Sequence, residues 1–126
     1  MSVKAKYQPV LDLGLKFGVK DGYVNEEGGI LKVGGTAKTQ LEKDLMWDKI
    51  KEIGGENPAD IQADIKVEVT DYYGIYEVKR GDSLSKISKM FFGTFNRYME
   101  IFEMNKDQLK NPDLIHPGQQ LRIPFK

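Results

Sequence analysis

Tyr76-Glu77-Val78-Lys79-Arg80-Gly81-Asp82-Ser83-Leu84-Ser85-Lys86-Ile87-Ser88 contains a complete change of backbone state. Tyr76 and Val78 alternate with charged residues, as a short strand does. Gly81 turns the chain, and Asp82 or Ser83 then caps a helix whose inward stripe is Leu84, Ile87 and Phe91. Downstream, Tyr98, Ile101 and Phe102 stand at i, i+3 and i+4, which predicts a second helix over about Asn96–Met104. Asn105 reads as a left-handed stop. The run Ile115-His116-Pro117-Gly118-Gln119-Gln120-Leu121-Arg122-Ile123-Pro124 turns at Pro117-Gly118 and returns as an edge strand ended by Pro124. The C-terminal half therefore reads β-α-α-β.

Upstream of this stretch, Asp71-Tyr72-Tyr73-Gly74 forms a short polar and aromatic join. From Ile61 to Val69 the alternation is complete, with Ile61, Ala63, Ile65, Val67 and Val69 on one face and Gln62, Asp64, Lys66 and Glu68 on the other. Thr39-Gln40-Leu41-Glu42 is a capping-box pattern opening a helix to about Ile53, stopped by Gly54-Gly55. Leu41, Leu45, Met46, Ile50 and Ile53 follow its 3.6 period, and Trp47 falls off that stripe. Tyr23-Val24-Asn25 is expected to pair with Ile30-Leu31-Lys32-Val33 across Glu26-Glu27-Gly28-Gly29, with Gly34-Gly35 ending the second strand. Val10, Leu11, Leu15 and Phe17 predict a helix over Tyr7–Phe17, with Pro9 in its first turn. This half reads α-β-β-α-β, a small sheet with helices on one side. The expected fold class is α+β, with modules over residues 1–71 and 76–126 and a linker over 72–75.

The chain has 126 residues, 19 basic and 19 acidic, one histidine and no cysteine. Zero net charge argues against nucleic acid as a partner. The absence of cysteine removes disulfides, thiol nucleophiles and thiolate metal sites. Apolar runs of only a few residues span no membrane, and Met1-Ser-Val-Lys-Ala-Lys leads into no apolar signal core, so a cytoplasmic protein is expected unless a leader was removed. The neutrality is a sum of unlike halves. Residues 1–74 carry 10 lysines against 13 acids, and residues 75–126 carry 9 basic residues against 6 acids. With His116 alone, neither a histidine-based triad nor a multi-histidine metal site can be built. Glu26-Glu27 and Asp60 with Asp64 read as a turn and a solvated face rather than a glycosidase pair. The Gly-Gly pairs lack phosphate-loop or dinucleotide spacing and read as turns. No enzyme is expected, no cofactor and no side-chain transition-metal site.

Two family resemblances extend this reading. Tyr76-x-Val78-x-x-Gly81-Asp82-Ser83-Leu84-x-x-Ile87-Ser88, Ile101-x-x-x-Asn105 and Ile115-x-Pro117-Gly118-Gln119-x-Leu121-x-Ile123-Pro124 resemble the LysM domain. The resemblance implies binding of N-acetylglucosamine-containing glycan, such as peptidoglycan or chitin, in a groove formed by Gly81, Asp82, Ser83 and Leu84 with Ile115, His116, Pro117 and Gly118. Gly-Gly-Ile-Leu-Lys-Val-Gly-Gly-Thr before a capped helix resembles the BON domain, which implies protein or phospholipid docking as a weaker alternative. The two in series are similar to a family of small cytosolic bacterial potassium-binding proteins, whose domains compact as K⁺ binds. That implies a K⁺ sensor, and a monomer is expected. Members can carry a further N-terminal segment, whose ligands would have no counterpart here. A large monovalent ion suits a cage of neutral backbone carbonyls, which leaves almost no side-chain signature. The expected cage is Ile53-Gly54-Gly55-Glu56-Asn57, where carbonyls at a helix C-terminus bring partial negative charge and glycine lets them turn inward.

Overall fold

In the computed structural model, which describes residues 2–126, the chain divides into two units. One unit runs up to Thr70 and the other spans Asp71–Lys126. Met1 lies outside the described residues. Both units mix helices and strands, and the fold class is α+β.

The first unit opens with a four-residue helix that periodicity did not predict, α1 (Val3–Lys6), capped by Ser2 Oγ accepting from Ala5 N–H at 3.1 Å. The predicted α2 follows (Gln8–Phe17), with Pro9 in its first turn and Gly18 as a left-handed C-cap. Strands β1 (Lys20–Glu27) and β2 (Ile30–Ala37) form an antiparallel hairpin. The connection is two residues, not four: Gly28 and Gly29 both take positive φ, at 57° and 78°, and Glu27 pairs directly with Ile30. Such a turn matches the twist of the strands it joins. Then come α3 (Gln40–Gly54) and β3 (Ile61–Val67), which returns parallel to β2. The sheet order is β1-β2-β3. A parallel return needs a crossover, and α3 supplies it.

The α3 cap behaves as the pattern predicts. Thr39 Oγ1 accepts from Glu42 N–H at 3.3 Å, while Glu42 Oε1 reaches one residue past the cap to accept from Lys38 N–H at 3.2 Å. Leu31, Val33, Ala37, Ile61 and Ile65 of the sheet meet Tyr7, Val10, Met46 and Ile50 in one core, with Trp47 and Ile53 half-buried at its margin. The alternation of β3 is realised, with Gln62, Asp64 and Lys66 exposed on the other face. Periodicity overextended two helical stripes: Leu15 is 81% exposed and Leu45 41% exposed. All eight residues of β1 are exposed, so the sheet does not carry a hydrophobic face out to that edge and nothing covers Leu15.

The reading of Gly34-Gly35 as a strand end is corrected. Both lie within β2, which continues to Ala37. Glycine is needed here for close approach. A methyl group on Gly34 would lie 2.6 Å from the Tyr23 ring, and one on Gly35 would lie 2.5 Å from Val19 Cγ1 and 3.0 Å from the Lys20 carbonyl.

In the second unit, β4 (Gly74–Glu77) pairs antiparallel with β5 (Gln120–Ile123). Gly74 and Ile75, read as part of the join, already stand opposite Ile123 and Arg122, and Tyr73 N–H donates to the Ile123 carbonyl at 2.7 Å. Helix α4 (Leu84–Phe92) is followed by a 3₁₀ turn (Phe95–Arg97) and α5 (Tyr98–Met104). The helix predicted from Asn96 therefore begins as a tighter turn. Buried Ser88 explains the change, because its hydroxyl donates to the Thr94 carbonyl at 2.6 Å and accepts from Arg97 N–H at 3.2 Å. Val78, Leu84, Ile87, Ile101, Leu109, Leu121 and Ile123 form this core.

Asn105 is not a left-handed stop. It takes φ −121° and its side chain is fully buried. Its Nδ2 donates to the carbonyls of Ile101 at 2.7 Å and Arg122 at 2.9 Å, and its Oδ1 accepts from Arg122 N–H at 2.9 Å. One amide thus stitches the end of α5 to β5.

Candidate functional site

The residues predicted as ion ligands lie where α3 ends. Gly55 is the C-cap at φ 87°, its N–H donating to the Lys51 carbonyl at 2.8 Å. The last carbonyls of a helix lack intrahelical partners and carry the negative end of its dipole, so a cation is favoured at this point. Gly55, Glu56 and Asn57 are exposed, while Ile53 and Gly54 are half-buried.

Beneath this loop sits a cluster that sequence reasoning missed. A methyl group on Gly54 would overlap Tyr7 Oη and lie 2.9 Å from Pro58 Cβ, so the loop is packed directly on the tyrosine hydroxyl. Tyr7 Oη donates to Asp60 Oδ1 at 2.5 Å, and Lys6 Nζ stands 2.6 Å from Asp60 Oδ2. Burial first, and then the Asp60 carboxylate, push the Tyr7 phenol up to about 12. The Lys6 ammonium, with the Tyr7 hydroxyl behind it, holds Asp60 below the usual carboxylate range. Asp60 is therefore not part of the solvated face it was grouped into with Asp64. The partners are more than fifty residues apart in sequence, and no local pattern marks such a pairing.

The predicted glycan residues come together as two neighbouring loops. Val78 N–H donates to the Gln119 carbonyl and Gly118 N–H to the Val78 carbonyl, both at 2.8 Å, so the segment after β4 lies beside the segment before β5. His116-Pro117-Gly118-Gln119 is a turn closed by Gln119 N–H to the His116 carbonyl at 3.1 Å, with Gly118 at φ 92° as the third position of a type II turn requires. Gly81, His116, Pro117 and Gly118 are exposed, and Asp82, Ser83 and Ile115 half-buried. Three of these residues have structural tasks. Ser83 alone caps α4, accepting from Lys86 N–H at 3.2 Å; Asp82 Oδ2 is committed to Tyr76 Oη at 2.6 Å and Lys79 N–H at 2.8 Å. Leu84 is 2% exposed, as its place on the inward stripe of α4 predicts, and its side chain belongs to the core.

The structure also has an apolar cavity of about 510 Å³ in the first unit, between α2 and the β1–β2 hairpin, lined by Val10, Leu11, Leu15, Val19, Tyr23 and Val24 among others. None of the predicted ion or glycan residues lines it. Among the described residues, no three histidine, aspartate or glutamate side chains gather as metal ligands, and no helix is long and apolar enough to cross a membrane.

Paired strands flanking two helices, with loops joined through Val78, define the class of the second unit, and residues 76–124 match the LysM domain family. The chain is also 42% identical over 96 residues to the potassium binding protein Kbp of Escherichia coli O6:H1, covering 76% of this chain and 64% of that protein. A 50-residue stretch is 52% identical to an uncharacterized protein of Deinococcus radiodurans, covering 40% of this chain and 19% of that protein. The matches span less than two thirds of the length of these relatives.

Proposed function

We propose that the chain is a non-catalytic, cytoplasmic K⁺-binding protein, monomeric, with the ion held by backbone carbonyls of Ile53, Gly54, Gly55, Glu56 and Asn57, and that its two units draw together when the ion binds. One observation carries this reading. The 96 residues matched to the potassium binding protein are more than the second unit contains, so the likeness extends into the first unit and is not explained by a LysM domain alone. The chemistry at the end of α3 supports it, since carbonyls at a helix C-terminus offer partial negative charge without a formal anion. After the short α1, the first unit follows the α-β-β-α-β course that a BON domain would have.

Thermal melts in KCl and NaCl at equal ionic strength test the proposal. A ligand bound only by the folded state adds about 2.7 kcal/mol when present at a hundred times its dissociation constant. The melting temperature is expected to rise in KCl and not in NaCl; identical melts from micromolar to tens of millimolar salt would refute K⁺ binding. A second reading, glycan capture by the LysM loops, is favoured by the adjacency of the turns at Gly81 and Gly118. Retention of the folded chain on peptidoglycan or chitin beads, with no response to K⁺, would establish that reading instead.

A further inference from the structure

The pairing of Lys6 with Asp60 beside the α3 loop bears on which cation the loop accepts, provided that it accepts one as proposed above. A carboxylate close to a carbonyl cage changes what the cage prefers. Carboxylate oxygens suit small, hard, strongly hydrated cations such as Ca²⁺ and Mg²⁺, whereas neutral carbonyls suit the larger K⁺. Asp60 is such a carboxylate, and it is fixed, because Tyr7 Oη pins Oδ1 and lies against Gly54. Glu56 is on the loop as well, but it is exposed and shares no comparable anchor with Tyr7. Both Asp60 oxygens already have a partner, Tyr7 Oη on Oδ1 and the Lys6 ammonium on Oδ2, and the ammonium balances the carboxylate charge.

The position of Lys6 is itself built. It ends α1, which is held by the Ser2 cap at one end and by Lys4 N–H donating to Glu26 Oε1 on β1 at 3.1 Å. Lys6 Nζ also lies 5.3 Å from the centre of the Tyr7 ring, so neighbouring residues grip one carboxylate from two sides.

We propose that Lys6 is a specificity-determining residue of the cation site: its ammonium takes the Asp60 carboxylate out of play, leaving the neutral carbonyls of Ile53–Asn57 to select a large monovalent ion. Tyr7 is a positioning residue in the same device, holding Oδ1 of the carboxylate while Lys6 meets Oδ2.

The test compares the full chain with Lys6→Gln and with the double variant Lys6→Gln/Asp60→Asn, each titrated with KCl, NaCl and CaCl₂ while binding is followed by calorimetry and by melting temperature. Lys6 is 43% exposed on its side chain, so the single variant is expected to fold, and its circular dichroism checks this. Lys6→Gln should bind Ca²⁺ at least about fivefold more tightly than the unaltered chain, the effect of one unpaired charge at contact range in water. Its preference for K⁺ over Na⁺ should narrow. The double variant, with neither charge, should return to the original order of preference. If the unaltered chain binds K⁺ but Lys6→Gln keeps the same selectivity, or if the double variant retains the Ca²⁺ gain, the role of Lys6 is overturned while K⁺ binding stands. An unaltered chain that ignores K⁺ overturns the function and this inference together.

Discussion

Asn105→Ala is expected to destabilise the second unit by about 3 kcal/mol or more, a fall in melting temperature of roughly 15 °C for a unit of this size. The estimate follows from what the amide satisfies. Its side chain is fully buried and serves the Ile101 carbonyl, the Arg122 carbonyl and the Arg122 N–H at once. Truncation leaves three backbone groups without this partner, and each buried orphan costs about 1–3 kcal/mol. Asn105→Asp should not rescue the loss, because it keeps the acceptor for Arg122 N–H, removes both donations and places an ionised group in the core. A cavity-filling change would behave differently, so the pair of variants separates hydrogen bonding from volume. Thermal unfolding followed by far-ultraviolet circular dichroism reads both. A fall of under about 3 °C in Asn105→Ala would show that the amide is not a keystone.

Gly35→Ala should be the most damaging single-methyl change in the first unit, at about 3 kcal/mol, with Gly34→Ala well below it at about 1 kcal/mol. The ranking is decided by what each new methyl meets. At Gly35 the backbone is at φ 151°, and the Cβ would approach Val19 Cγ1 at 2.5 Å, the Lys20 carbonyl at 3.0 Å and Gly22 Cα at 3.2 Å. Two of those three are backbone of the neighbouring strand and cannot swing away. At Gly34 the obstacle is the Tyr23 ring, which is 45% exposed and has room to turn outward. Trp47, the single tryptophan, packs on this core, so its fluorescence follows unfolding of the unit. Equal stabilities for the two variants would contradict the register drawn between β1 and β2.

These two sites also mark where the sequence was readable and where it was not. The C-terminal β-α-α-β course was legible because its signals are local: Ser83 caps its own helix, Pro117-Gly118 builds its own turn, and Leu84 and Ile87 sit one turn apart. The β3 strand was legible for the same reason, through its alternation. Asn105 was misread because an asparagine after a helix resembles a cap until β5 is folded against it. Gly34-Gly35 was misread because a glycine demanded by a neighbouring strand looks the same as one demanded by a turn. The hairpin loop was read too long, since Glu26 and Glu27 look like turn residues but pair with Leu31 and Ile30.

The candidate site divides in the same way. The α3 terminus was visible through Gly54-Gly55, but carbonyl ligands carry no side-chain pattern, so the loop could be named only as a place where a cation fits. The Lys6–Asp60–Tyr7 cluster was invisible, because its members meet only after α1 and the start of β3 come together. In the second unit the segments after β4 and before β5 lie side by side, joined through Val78. Several of the predicted glycan residues have structural tasks: Leu84 fills the core, Ser83 caps, and Asp82 holds Tyr76 and Lys79.

Two-dimensional amide NMR of the full chain reads, residue by residue, whether K⁺ is held at the proposed site. Titration with KCl against a constant ionic strength of NaCl is expected to give saturable shifts centred on Ile53, Gly54, Gly55, Glu56 and Asn57. Amides that stay unmoved there, or saturable shifts confined to Gly81–Leu84 and Ile115–Gly118, would contradict it.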